Sequence, residues 1–148
     1  MKGMLPEYGA LGAIKQPTGG GIATAAPTNA YSSRDGAWVL IAANSEPLFA
    51  RFMTLIGRPE LIGADGYRGN RERVANVGAL DALISEWSRR HDANELNDAN
   101  ELIALPADAD IPSSRAYTAA DVAADEQYRA RGMIRTVDDP HLGQVLQA

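Results

Sequence analysis

The dipeptide Asp35-Gly36 sets the frame for this chain. It sits between two runs of strand-forming residues, Thr28 to Ser32 and Ala37 to Ala43, with Ser32, Ser33 and Arg34 leading into it. An Asp-Gly pair between such runs is a strong hairpin signal, because glycine enters the left-handed conformations of tight turns at little cost. The second run, AWVLIAA, has Trp38, Val39, Leu40 and Ile41 in succession. That lack of alternation predicts a strand covered on both faces.

Helical patterns follow the hairpin. Asn44 or Ser45 is placed to cap a helix whose first turn accommodates Pro47. Leu48, Phe52, Leu55 and Ile56 fall at helical spacings, and Gly57 ends the element. Pro59 starts a short turn with Leu61 and Ile62, and GADGYRGN reads as loop. Asn76 is a candidate cap for a helix to about Arg90, with Val77, Leu80, Leu83, Ile84 and Trp87 as one apolar stripe. A further helix is expected from Asp92 to Pro106, across a duplicated DANEL at residues 92–96 and 98–102. Thr118 with Asp121 has the form of a capping box, Asp125 caps a last helix ended by Gly132, and Met133 to Val137 reads as a strand ended by Asp138, Asp139 and Pro140. Two early strands, several helices and one late strand predict a compact, mainly helical α+β domain with a small antiparallel sheet, not a doubly wound one.

The chain has 148 residues, enough for one core. Residues 1–27, rich in Gly, Pro, Thr and Ala, read as a flexible arm or interdomain-linker-like segment, and residues 28–148 as the folded domain. A net charge of −5 repels nucleic acid and anionic membranes, and no partner of either kind is expected. With no cysteine, disulfides and thiolate chemistry are excluded. The apolar run of the N-terminus is broken by Pro6 and Glu7, unlike a signal peptide. A cytoplasmic setting is the expectation.

Chemistry-bearing motifs are sparse in this sequence. Gly19, Gly20 and Gly21 offer close backbone approach to an anion, yet no lysine and hydroxyl residue follow as a phosphate loop requires, and the local sequence favours a linker. His91 and His141 read as capping or solvent-facing, and no compact metal-ligand spacing appears. Ser32, Ser33, Ser113 and Ser114 lack a nucleophile-elbow pattern. Arg68, Arg71 and Arg73 form a local positive group beside Tyr67, a candidate clamp for a phosphate or planar ring, weighed against a hydrated loop in which Glu72 offsets the charge.

Several of these segments form an ordered set. LPEYG (5–9), APTNAY (26–31), the run from Asp35 to Leu61, Asn70-x-x-Arg73, the run from Ile111 to Ile134, and DDPHLG (138–143) together resemble the family III CoA-transferases, the group containing carnitine and formyl-CoA transferases. The resemblance covers the small-domain portion of such an enzyme. It implies exchange of CoA between an acyl-CoA and a carboxylic acid, at an aspartate of the large domain whose motif no residue here occupies. No catalytic residue is therefore assigned, and Asp35, Asp121 and Asp125 are not given the role. The expectation is a truncated or stand-alone small-domain homologue, inactive alone, with weak binding of CoA or acyl-CoA and no covalently held cofactor. The expected partner is a second copy or a large-domain chain; the alternatives are a self-associating interaction module and one subunit of a split transferase. In the resemblance, Gly19 to Gly21 stand where formyl-CoA transferase-like members have a glycine-rich cover over the active site. Two departures are that Pro106 interrupts the middle helix and that Asp110 stands near an expected glycine.

Overall fold

The computed structural model of the chain describes residues 4–14, 16–91 and 110–147. These fall into two compact units, Met1–Ser114 and Arg115–Ala148. The expected helix across the DANEL duplication lies outside the described residues.

The first unit is built on the hairpin of β1 (Thr28–Ser32) and β2 (Trp38–Ala42). Thr28 pairs with Ala42 and Ser32 with Trp38. At the turn, the Gly36 amide donates to Ser33 O at 3.1 Å and Gly36 takes φ +82°, a turn closed by a residue in the left-handed region that favours glycine. β3 (Ser113–Arg115) follows on the far side of β2, so the order is β1-β2-β3. Contrary to the reading of AWVLIAA as covered on both faces, β2 alternates. Val39 and Ile41 are buried, whereas Trp38 and Leu40 are 53% and 44% exposed. Among the described residues the core lies on one side of this sheet only, which leaves Trp38 and Leu40 outside it.

The α2 helix (Glu46–Leu55) begins after Ser45 with Pro47 in its first turn, and Gly57 at φ +73° follows its end. Phe49, Phe52 and Met53 enter the core. A single 3-10 turn, Pro59–Leu61, leads through a loop to α3 (Asn70–Ala75) and α4 (Val77–Arg90). Leu80 and Ile84 of α4 are buried, Trp87 meets Phe52 edge-on at 5.7 Å, and the Ser88 hydroxyl donates to Ser32 O. Asn76 precedes α4 as expected but makes no side-chain cap; its amide instead donates to Gly66 O at 3.0 Å, tying the loop to the helix start. Within the N-terminal segment, Met4–Leu11 forms helix α1 with no buried residue, an element the glycine-rich composition concealed.

In the second unit the Thr118–Asp121 capping box is present and opens α5 (Ala119–Ala124). Asp125 caps α6 (Glu126–Ala130) by accepting from Gln127 and Tyr128 amides. The late strand, β4 (Arg135–Asp139), extends past the expected Val137 and has a partner the sequence reading lacked, β5 (Gly143–Gln147). Asp139 makes this possible: its carboxylate accepts from the amides of His141 and Leu142, so the residue expected to stop the strand instead folds the turn. The architecture is α+β, mainly helical with small antiparallel sheets. No helix among the described residues is long and apolar enough to cross a membrane.

Candidate functional site

The Asn70-x-x-Arg73 element lies on the first turn of α3, where a spacing of three residues puts both side chains on one face. Asn70 grips the segment before β1 from both sides of its amide: Nδ2 donates to Thr24 O at 2.8 Å, and Oδ1 accepts from the Ala26 amide at 3.0 Å. Arg73 is fully buried. Its Nε donates to Ala26 O at 2.9 Å, Nη1 to Glu46 Oε2 at 2.6 Å and Tyr67 O at 3.4 Å, and Nη2 to Asn44 O at 2.9 Å and Glu46 Oε1 at 3.3 Å. The guanidinium carbon lies 4.6 Å from the centre of the Phe49 ring. Each of the five N–H groups of a guanidinium thus has a partner inside the fold, and none is left for a ligand. The hydrogen bond from Arg73 holds the Glu46 carboxyl below its ordinary value.

The three arginines singled out in the sequence are therefore not brought to one surface. Arg73 points inward, whereas Arg68 and Arg71 are exposed, and Arg68 pairs with Asp65.

The three glycines form a turn laid against β1. Gly19 takes φ +65°; the Thr18 hydroxyl donates to Gly21 O at 2.8 Å, and the Gly21 amide donates to Thr18 O at 3.3 Å. The Ile22 amide donates to Thr28 O at 3.2 Å. The amides of Gly21 and Ile22 are thus committed to the chain's own carbonyls, which is not the arrangement of an anion cradle. Gly20 has a packing reason to be glycine, since a Cβ there would sit 2.9 Å from Ala30 Cβ and 3.0 Å from Asn29 Oδ1.

Beside this turn opens a cleft of about 300 Å³. Thr18 and Gly21 line one side, Thr28 and Asn29 of β1 the floor, and Val74, Val77 and Asp81 the helical side. Asp81 accepts from Tyr31 Oη at 2.6 Å through Oδ1 and from Asn29 Nδ2 at 2.8 Å through Oδ2. Burial, reinforced by the bond to Asp81, pushes the Tyr31 phenol well above its ordinary value, so it remains a donor at any physiological pH. Sequence reasoning missed this trio. The available signals were the two-residue spacing of Asn29 and Tyr31 on one strand, and a carboxylate at Asp81 set four residues after Val77 and three before Ile84 on an apolar helix face.

Elsewhere, His91 ends α4 with its ring 4.4 Å from that of Trp87, and His141 is exposed at the turn between β4 and β5. Among the described residues no three His, Asp or Glu side chains gather as metal ligands would.

The first unit is thus a mixed α+β fold in which a glycine turn lies beside a small, partly polar cleft. The whole chain, residues 1–148, belongs to CoA-transferase family III. It is 32% identical over 145 residues to the succinyl-CoA–D-citramalate CoA-transferase of Chloroflexus aurantiacus, covering 98% of this chain and 35% of that protein. It is 28% identical to the alpha subunit of a succinyl-CoA–L-malate CoA-transferase from Chloroflexus aurantiacus, over 95% of this chain and 32% of the relative. The crystal structure of a CAIB/BAIF family protein from Brucella suis superposes with a TM-score of 0.76 at 32% identity, over 92% of this chain and 34% of that one. The chain thus spans about a third of the length of these relatives.

Proposed function

We propose that these residues act as the small-domain part of a family III CoA-transferase, covering a bound acyl-CoA while the carboxylate that carries the acyl and CoA groups lies outside them. On this reading they do not transfer CoA alone, and they work against a large-domain partner. The observation that carries it is the condition of the aspartates. Covalent CoA transfer needs a carboxylate free to attack a thioester. Asp81, which lines the cleft, has both oxygens held by Tyr31 and Asn29. Asp121 and Asp125 cap helices, and Asp35 accepts from the Ser33 hydroxyl and the Ala37 amide.

The names of the Chloroflexus relatives pair succinyl-CoA with D-citramalate or L-malate. Those are the first substrates to try. The chain incubated with succinyl-CoA and either acid is expected to give no new thioester by mass spectrometry, while calorimetry gives saturable binding of CoA. Formation of citramalyl- or malyl-CoA by the isolated chain would overturn the proposal.

A second reading, a self-associating module, draws support from the exposed Trp38 and Leu40 on the outer face of β2. Sedimentation at several concentrations separates the two: concentration-dependent dimers together with no CoA binding would favour self-association.

A further inference from the structure

We infer that the cleft beside the glycine turn receives an uncharged, secondary-amide-bearing stretch of the ligand and not an anionic end. The inference rests on the CoA-binding reading above and names the part of the ligand that this site takes.

The argument begins with charge. Asp81 contributes a carboxylate to the cleft wall, and no arginine or lysine lines it among the described residues. Of the three glycines only Gly21 lines the cleft, and its amide, like that of Ile22, already donates to a carbonyl of the chain, Thr18 O and Thr28 O respectively. A phosphate or carboxylate placed here would meet a like charge in a partly desolvated recess, with no donor array to offset it.

Unused hydrogen-bonding capacity then defines what fits. A carboxylate offers about four lone-pair sites, and Asp81 uses two of them, on Tyr31 and Asn29. The Asn29 amide nitrogen has two hydrogens and donates one to Asp81; its oxygen is taken by the Ala30 amide. The cleft therefore holds spare acceptors on Asp81 beside a spare donor on Asn29. That pairing is complementary to the N–H and C=O of a secondary amide. Ile22, Val74 and Val77 supply apolar wall for the methylenes on either side of it. A volume of about 300 Å³ suits a short segment of a ligand, not the whole of one.

Within CoA, the pantetheine arm has this chemistry and the adenosine bisphosphate half does not. The test is NMR titration of the full isotope-labelled chain with pantetheine, with adenosine bisphosphate and with intact CoA. Pantetheine and CoA are expected to shift the backbone signals of Gly21, Asn29 and Asp81, and the bisphosphate to leave them in place. Asp81→Asn, which converts part of an acceptor into a donor, is expected to weaken pantetheine about tenfold. Because Asp81 also anchors β1, Gly21→Leu provides an independent variant: it leaves Asp81 in place and fills the cleft from the glycine side, where its Cβ would stand 3.4 Å from Asn29 Cγ, and it is expected to abolish the pantetheine shifts. If CoA binds but pantetheine does not compete, or Gly21→Leu binds pantetheine normally, the amide subsite is refuted while CoA binding stands. If neither pantetheine nor CoA binds at millimolar concentration, both readings fall.

Discussion

Replacing Arg73 by lysine separates a structural arginine from a ligand clamp, because the two roles fail differently. Arg73 is 0% exposed, whereas the side chain of its ion-pair partner Glu46 is 60% exposed. Deleting Arg73 therefore leaves no buried counter-charge, since Glu46 simply rehydrates, and the penalty of breaking a buried ion pair does not apply in full. What remains is the loss of donors to Ala26 O and Asn44 O, each carbonyl costing roughly 1–3 kcal/mol when orphaned in the interior. The contact with Phe49 adds about 0.5–2 kcal/mol. Arg73→Ala should thus cost about 4–6 kcal/mol, a large share of the roughly 5–15 kcal/mol that holds a domain together. Arg73→Lys keeps the charge, but one ammonium cannot serve Ala26 O, Asn44 O and both Glu46 oxygens at once, and a loss of about 2–4 kcal/mol is expected. Urea unfolding followed by circular dichroism measures both. An Arg73→Lys variant within about 0.5 kcal/mol of the parent would sink the argument, since surface substitutions fall in that range. A variant that keeps its stability but loses CoA affinity would restore the clamp.

Three further outcomes follow from local geometry. Asp110 holds φ +55°, a left-handed conformation costly for a residue with a Cβ, and its ion pair with Arg51 at 3.6 Å is exposed. Asp110→Gly should raise the unfolding free energy by up to about 1 kcal/mol, and any clear loss refutes the strain. Gly20→Ala should destabilise by about 1–3 kcal/mol, because its Cβ would meet the Ala30 Cβ and, at 3.2 Å, the Ala30 backbone nitrogen. Gly21→Ala, whose nearest neighbour would be 3.4 Å away, should cost far less in the same thermal unfolding series. Finally, the depressed pKa of Glu46 means that its contribution is present above its ordinary value of 4.5 and is lost as pH falls through the lower folded value. Glu46→Gln should therefore flatten the acid limb of a stability–pH profile, and an unchanged limb counts against the pair.

The hairpin, α2, α4 and the capping box at Thr118 were legible because local chemistry and tertiary packing agree there: turn glycines, proline at a helix start, and an apolar stripe at helical spacing. The glycine near Asp110 was expected from the family resemblance, and the backbone supplies the reason, since φ +55° is a glycine position occupied by aspartate. What stayed hidden is what tertiary contact decides. The helical period of α4 predicts that Asp81 faces inward but not that Tyr31 and Asn29 arrive opposite it, because that juxtaposition spans about fifty residues of chain. Likewise Arg73 in DGYRGNRERVAN reads as one of three arginines in a local positive group until its carbonyl partners, drawn from residues 26, 44 and 67, are seen to converge on it. β5 was missed because Gln144 and Gln147 dilute a short apolar pattern, and Asp139 reads as a stop until its turn bonds are known.

The glycine run and the Asn70-x-x-Arg73 element act as one device, and this dependence is measurable. Asn70 holds Thr24 O and the Ala26 amide, and Arg73 holds Ala26 O. Those three bonds fix the segment joining the glycine turn to β1, and the Ile22 amide on Thr28 O closes the turn back onto the strand. Gly20 can press on Ala30 only while that segment is pinned. Asn70→Ala alone should cost about 1–3 kcal/mol for two lost hydrogen bonds. In its background the turn is free to lift, so the added Cβ of Gly20→Ala should cost less than in the parent. A double-mutant cycle is therefore expected to show a coupling of about 0.5–1.5 kcal/mol, in the sense that the double variant is more stable than the sum of the singles predicts. Strict additivity would mean that the turn is held by its Thr18 bonds and the Ile22–Thr28 bond, and that Asn70 of α3 has no part in pressing Gly20 onto Ala30.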